Sequence, residues 1–179
     1  AYNIPENDRR VNFDNFIKKL KSNPNVGQVI EISSNLISKN PDIEAIRQLA
    51  ARFQVSSIVV LSETYQTPSE NKEGLITPID MITGTRTWES FAKIEAYGLD
   101  ILNGVFIFST ASGVKEIDKY NKTNPNVKNP DLALMRTVAG KAWKELEDKV
   151  SSEITVYKSR LDSNKVVPII VEDSVSSSK

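Results

Sequence analysis

The chain has 179 residues, 23 Lys plus Arg against 23 Asp plus Glu, and neither Cys nor His. This excludes disulfides, thiol nucleophiles and the usual zinc and copper ligands, and it removes the side chain that titrates near neutral pH. Hydrophobic residues are 39% and charged residues 26%, a globular composition, and the zero net charge exerts no overall pull toward nucleic acid or an anionic membrane.

No apolar run approaches the ~18 residues of a membrane span, and no signal peptide is present in the sequence. Ala1-Tyr2-Asn3-Ile4 reads as the end of a strand and begins abruptly. The expectation is a trimmed version of a longer precursor. Pro5-Glu6-Asn7-Asp8 reads as a loop ending in a capping residue. Phe13, Phe16, Ile17 and Leu20 then recur at helical spacing, with Lys18, Lys19 and Lys21 toward the C-terminal end. Ser22-Asn23-Pro24-Asn25 stops that helix. Residues 27–32, with Val29, Ile30 and Ile32, read as a short strand.

Asn40 as N-cap, Pro41 at the first helical position and Asp42 open the next helix. Its buried stripe is Ile43, Ile46, Leu49, Ala50 and Phe53. Residues 57–61 form a compact apolar run, the pattern of a strand buried on both faces within a βαβ unit. Residues 62–74 are polar and read as a long surface loop. Residues 77–83 read as a strand through Ile79, Met81 and Ile82, turned by Gly84-Thr85-Arg86 into the next strand near Trp88.

Asn103-Gly104 between β-rich runs predicts a two-residue hairpin, since both central residues of a type I′ turn need positive φ. That register sets Leu99 opposite Phe108 and Tyr97 opposite Thr110. One face then carries Tyr97, Leu99, Ile101, Phe106 and Phe108. Residues 113–128 read as a polar connection. The last helix is opened by Asn129-Pro130-Asp131 and carries Leu132, Met135, Val138, Ala139, Ala142, Trp143, Leu146 and Val150 on one face. Pro168 limits the β-prone run 166–171 to an edge strand or a loose segment, and 174–179 read as disordered. The expected fold class is α+β, an α/β mixed sheet in the order β-α-β-α-β-β-β-α with helices mainly on one face. One domain spans 1–155, and 156–179 form a partly disordered C-terminal extension.

Two stretches resemble a known family. The run Ala50-Ala51-Arg52-Phe53-Gln54-Val55-Ser56-Ser57-Ile58-Val59-Val60-Leu61-Ser62 resembles the helix-to-strand passage of the rhombotarget lipoprotein family of Gram-negative bacteria. The strand ending in Asp100-Ile101, the turn, and Gly104-Val105-Phe106-Ile107-Phe108-Ser109 resemble its later signature. The element order is also similar to the TolB amino-terminal domain and to periplasmic lipoproteins that assist assembly or activation. The likeness covers roughly residues 1–150. It departs at Leu75-Ile76-Thr77-Pro78, where the family carries a Tyr-Trp-type segment, and in lacking a glycine-rich carboxyl end. It implies a periplasmic, lipid-anchored protein with its lipidated Cys upstream of Ala1, and it carries over no catalytic residue.

Glu63, Asp80, Glu95 and Asp100 are the candidate carboxylates, and a glycosidase-type pair among them would need its two carboxyls about 5 to 9 Å apart. Ser62, Ser109 and Ser112 lack a His base, and Lys93 or Lys115 would have to serve instead. Gly84 and Gly104 stand alone and form no phosphate cradle. Residues 118–122 lack calcium-loop spacing. The Lys18, Lys19 and Lys21 cluster reads as a solvated helix end rather than a nucleic-acid face. Tyr65, Gln66 and Trp88 are the interaction candidates, because exposed aromatics favour interfaces. Trp143 reads as core. The reading is a non-enzymatic envelope protein without cofactor or metal, working through a protein partner or self-association, with no nucleic-acid partner and membrane contact only through an upstream lipid anchor. The alternative is a small glycan- or small-molecule-processing hydrolase using Asp and Glu.

Overall fold

The computed structural model describes residues 4–36, 42–70, 77–121 and 129–163. The order is α1 (Glu6–Ser22), a short 3-10 turn (Ser34–Leu36), α2 (Ile43–Phe53), β1 (Ser57–Glu70), α3 (Pro78–Thr83), β2 (Arg86–Asp100), β3 (Val105–Tyr120) and α4 (Pro130–Asp162). The fold class is α+β. The three strands form one antiparallel sheet in the order β1-β2-β3.

The sheet has one dry face. Along β2, Ser90, Ala92, Ile94 and Ala96 are buried while their odd-numbered neighbours are not, the alternation of a sheet covered on one side. Phe108 and Ser112 of β3 and Val59, Leu61 and Tyr65 of β1 share that side with them. α4 packs across all three strands on this face. Ala92, Ala96, Ala139 and Ala142 are fully buried, so small side chains let the helix approach the sheet. α1 lies against α4 and runs parallel to it. Arg136 Nε bonds Asp8 Oδ2 at 2.7 Å, Lys19 Nζ pairs with Asp148 at 3.0 Å, and Asn23 Nδ2 donates to the Ser151 carbonyl. Phe16 meets Trp143 edge to face, with centroids 5.7 Å apart.

Several expectations change. The sheet is antiparallel throughout its described strands, because β1 pairs with β2 and not within a βαβ unit. Residues 27–32 form no strand. β1 does not stop at Leu61. It continues through the expected 62–74 loop as far as Glu70, with Ser62, Thr64 and Gln66 outward and Glu63 and Tyr65 inward. Polar residues fit this strand because one of its faces meets solvent. Residues 77–83 contain a helix, not a strand. Thr77 and Asp80 form a capping box and Pro78 opens the first turn, which overrides the apolar pattern of Ile79, Met81 and Ile82. β3 likewise runs on through residue 113 to Tyr120.

The hairpin stands, but its turn differs. Residues 101–104 form the turn, and Asp100 pairs with Val105. Of the expected central pair only Gly104 has positive φ, at 66°, so the turn is not type I′. Asp100 Oδ1 instead accepts from Leu102 N and Asn103 N, an aspartate-organised turn. A bulge at Gly98/Leu99 shifts the register, so Leu99 faces Phe106 and Tyr97 faces Ser109. Tyr97 therefore points out of the core and is 37% exposed. Phe108 joins the main core, and Leu99 is buried outside it, opposite Ile58.

The helices begin near their expected starts. α1 starts at Glu6, within the expected loop. Asp42 caps α2 by accepting from Ala45 N, and Ile43 is half exposed in place of being core. Asn129 precedes α4 as expected. The stripe of α4 is as read except that Leu134 replaces Leu132, and the helix passes the expected boundary at 155 to reach Asp162. The strand expected to end at Ile4, the cap at Asn40-Pro41, the edge strand at 166–171 and the disorder at 174–179 fall wholly or mostly outside the described residues.

Candidate interaction surface

The face of the sheet away from α4 carries the odd-numbered residues of β2 from Glu89 to Tyr97, those of β3 from Ser109 to Ile117, and Ser62, Thr64 and Gln66 of β1. Phe91, Tyr97 and Ile117 stand there among polar neighbours, with Ile117 54% exposed. Two ion pairs tie the surface together. Lys93 Nζ lies 2.7 Å from Glu95 and Lys115 Nζ 2.8 Å from Glu89. Exposed pairs of this kind orient side chains more than they stabilise. α2 contacts β1, and α4 covers the opposite side of the sheet.

The three interaction candidates divide between the faces. Gln66 is exposed on the outer side, and its carbonyl accepts from Ser90 Oγ at 2.9 Å. Trp88 turns inward, stacks on Tyr120 at 5.6 Å and packs against the main core. Tyr65 also turns inward. Its hydroxyl donates to Glu63 Oε2 at 2.9 Å and accepts from Trp143 Nε1 at 3.2 Å. Arg9 Nε donates to the same Glu63 oxygen at 3.0 Å. Burial, then the charge of Glu63, pushes the Tyr65 hydroxyl well above its ordinary value. This chain of bonds joins α4, β1 and α1.

The four candidate carboxylates are dispersed. Asp80 closes the α3 capping box and pairs with Lys119 at 3.0 Å. The Thr77 backbone and hydroxyl, then Lys119, hold it down at about 2. Glu95 stands on the outer face. Asp100 accepts from Leu102 N, Asn103 N, Asn103 Nδ2 and, at 2.8 Å, the Tyr157 hydroxyl. Burial alone would raise its carboxyl, but Asn103, Tyr157 and Leu102 together hold it below the ordinary range. Glu63 and Asp100 line one groove. Asp100 pairs with Ser57, six strand positions from Glu63, which sets them roughly 20 Å apart. That is well beyond the reach of a glycosidase-type pair.

The serines and lysines do not assemble either. Ser112 is buried and donates to Glu145 Oε2 at 3.1 Å, whereas Lys93 and Lys115 bond carboxylates on the outer face. Among the described residues no group of three Asp or Glu is placed to hold a metal ion, and no helix is long and apolar enough to cross a membrane. Phe91 and Ile117 were missed at the sequence level. The alternation of β3 from Ser109 to Lys119 is the signal that marks Ile117, and it is weak because both of its faces carry polar residues.

The fold and surface define an α+β domain, a three-stranded antiparallel sheet roofed on one side by two parallel helices and open on the other. No protein-family model matches the chain, and no curated protein matches its sequence. Its architecture is similar to that of the hypothetical protein CT253 from Chlamydia trachomatis, with 14% sequence identity and a TM-score of 0.51 over 87% of this chain and 90% of that chain. At that identity the likeness is one of fold.

Proposed function

We propose that this chain is a non-enzymatic protein-interaction domain of an exported bacterial lipoprotein of the rhombotarget type, working in the cell envelope. The outer sheet face carries the reading. It presents Phe91, Tyr97 and Ile117 on paired strands among the charged side chains of Glu89, Lys93, Glu95 and Lys115, and aromatics within a polar setting are what protein interfaces favour. The dispersal of Glu63, Asp80, Glu95 and Asp100 favours this reading over carboxylate hydrolysis. The periplasmic address and the upstream lipid anchor rest on the sequence resemblance alone.

The test is capture from envelope extracts, alongside sedimentation of the purified chain. The parent chain is expected to recover a defined partner or to self-associate. The double variant Tyr97→Glu, Ile117→Glu is expected to lose that contact while keeping its thermal unfolding temperature. A parent chain that remains monomeric and recovers nothing would remove the proposal.

A further inference from the structure

The short helix α3 is amphipathic, and it is set into the fold with its apolar side out. At about 100° per residue, Ile79, Met81 and Ile82 fall within roughly 160° of arc, and Asp80 and Thr83 lie across the axis from them. A helix on a water-soluble domain turns such an arc toward the core. Here Ile79 and Met81 are 70% exposed and Ile82 86%, while the Asp80 side chain is only 15% exposed. The polar side is fastened to the end of the sheet. Asp80 pairs with Lys119 at 3.0 Å, and the Thr83 carbonyl accepts from Asn121 Nδ2 just beyond β3. Rolling the aliphatic arc inward would break both ties.

Three features select a lipid surface as the occupant. The first is the bonding of the turn itself. A helix end leaves backbone groups that water or a partner must satisfy. In α3 the Asp80 N–H reaches Thr77 Oγ1 and the Met81 N–H reaches the Thr77 carbonyl. The Ile79 carbonyl accepts from Thr83 Oγ1 and the Asp80 carbonyl from the Thr85 N–H. Hydrocarbon offers no hydrogen bonds, so backbone that approaches it has to be satisfied in this internal way. The second is composition. Protein hot spots are enriched in Trp, Tyr and Arg, and α3 carries none of them. The third is position. Ile4 packs on Met135 and Ala139, about one to two helical turns from Asp131, which bonds the Tyr120 hydroxyl at the end of β3. Tyr120 pairs with Arg86, just after α3. An acyl anchor upstream of Ile4 would therefore bring α3, and not the turn at 101–104, toward the bilayer.

We infer that α3 is a lipid-contact element, with Ile79, Met81 and Ile82 entering the interfacial layer of a bilayer while Asp80, Lys119 and Asn121 hold the turn to the sheet. Three aliphatic side chains bury less apolar surface than one acyl chain, so the contact is weak and reversible alone and gains hold beside a second signal such as an acyl anchor. No side chain in the arc is charged, so binding depends on apolar burial and not on anionic headgroups. The inference rests on the envelope reading for its setting, and it uses no residue of the outer sheet face.

The chain has no cysteine, so a single introduced cysteine carries a single label. Ile82→Cys and, at the far end of the sheet, Leu102→Cys, which replaces a side chain 81% exposed, are labelled with a polarity-sensitive fluorophore and titrated with phosphatidylcholine vesicles. A blue shift and protection from aqueous iodide are expected for the Ile82→Cys label alone, half complete at roughly 1 mM lipid. In vesicle flotation of the unlabelled chain, Ile82→Glu is expected to lower association about tenfold or more at an unchanged unfolding temperature. Tyr97→Glu is expected to leave flotation as it was, and adding phosphatidylglycerol to change it less than about twofold. Four results would overturn the inference: no flotation of the parent chain, equal shifts of the two labels, flotation insensitive to Ile82→Glu, or an Ile82→Cys label already shielded from iodide without vesicles, which would mean that another part of the chain covers α3. Loss of a captured envelope protein or of self-association by Ile82→Glu, with flotation intact, would assign α3 to a protein partner and overturn it too. Capture that depends on Tyr97 while the parent fails to float removes this inference and leaves the outer-face proposal standing.

Discussion

At the scale of single residues, close approach and local bonding decide most. Gly98 lies beneath the Phe108 ring, and a Cβ built there would come within 2.6 Å of ring carbon Cε1. Gly98→Ala must displace a side chain that is 5% exposed. It is expected to cost about 1–3 kcal/mol by urea denaturation, with partial recovery in the double variant carrying Phe108→Leu, since the two sites share one space. Asp80 makes a sharper, pH-dependent case. Its folded pKa of about 2 lies below the ordinary aspartate value of about 3.9. The bonds from Thr77 and Lys119 therefore contribute fully above the ordinary value, and their contribution is lost as pH falls through about 2. A carboxyl-carbon NMR titration is expected to show that low midpoint, and Lys119→Ala is expected to raise it. The capping pattern of Thr77, Pro78 and Asp80 was legible in the amino-acid order. The apolar Ile79, Met81 and Ile82 masked it by imitating a strand, and all three prove to be at least 70% exposed.

At the scale of elements, the β2–β3 hairpin is organised by a side chain before its turn. Asp100 is 8% exposed and gathers four donors, one of them Tyr157 from the far end of α4. Asp100→Asn keeps the shape but removes the charge that these donors complement. It is expected to cost about 1–3 kcal/mol at neutral pH. The folded carboxyl sits below the ordinary range, so its contribution is present above that range and fades as pH falls through the lowered value. The gap between parent and variant in urea midpoint should therefore narrow in acid, and a constant gap would show that geometry alone is at work. The Asn-Gly pair located the hairpin correctly. The register escaped because the Asp100 carboxylate and the bulge beside Gly98 outweigh an isolated two-residue turn preference.

At the scale of the whole molecule, three elements meet through one hydrogen-bonded chain. Trp143 of α4 donates to Tyr65 of β1, which donates to Glu63, which also accepts from Arg9 of α1. Tyr65→Phe keeps the ring and its packing but strips a partner from a buried indole and from a carboxylate. It is expected to cost about 1–3 kcal/mol and to shift the tryptophan emission. An unchanged unfolding midpoint would mean that Arg9 and water replace the lost bonds in full.

The amino-acid order alone settled the α+β class and the inner stripe of α4, which rest on apolar side chains at a regular period, and the place of the β2–β3 hairpin, which rests on the Asn103-Gly104 turn signal. Only the tertiary structure decided that β1 and β3 run on through polar sequence, and that residues 27–32 form no strand. The reason is one of partners. Glu63, Ser90 and Ser112 sit on the inner side because Arg9, the Gln66 carbonyl and Glu145 satisfy them there, and those partners lie 24 to 54 positions away along the chain. Hydrophobic periodicity registers burial when the buried group is apolar and is silent when a distant partner makes burial affordable.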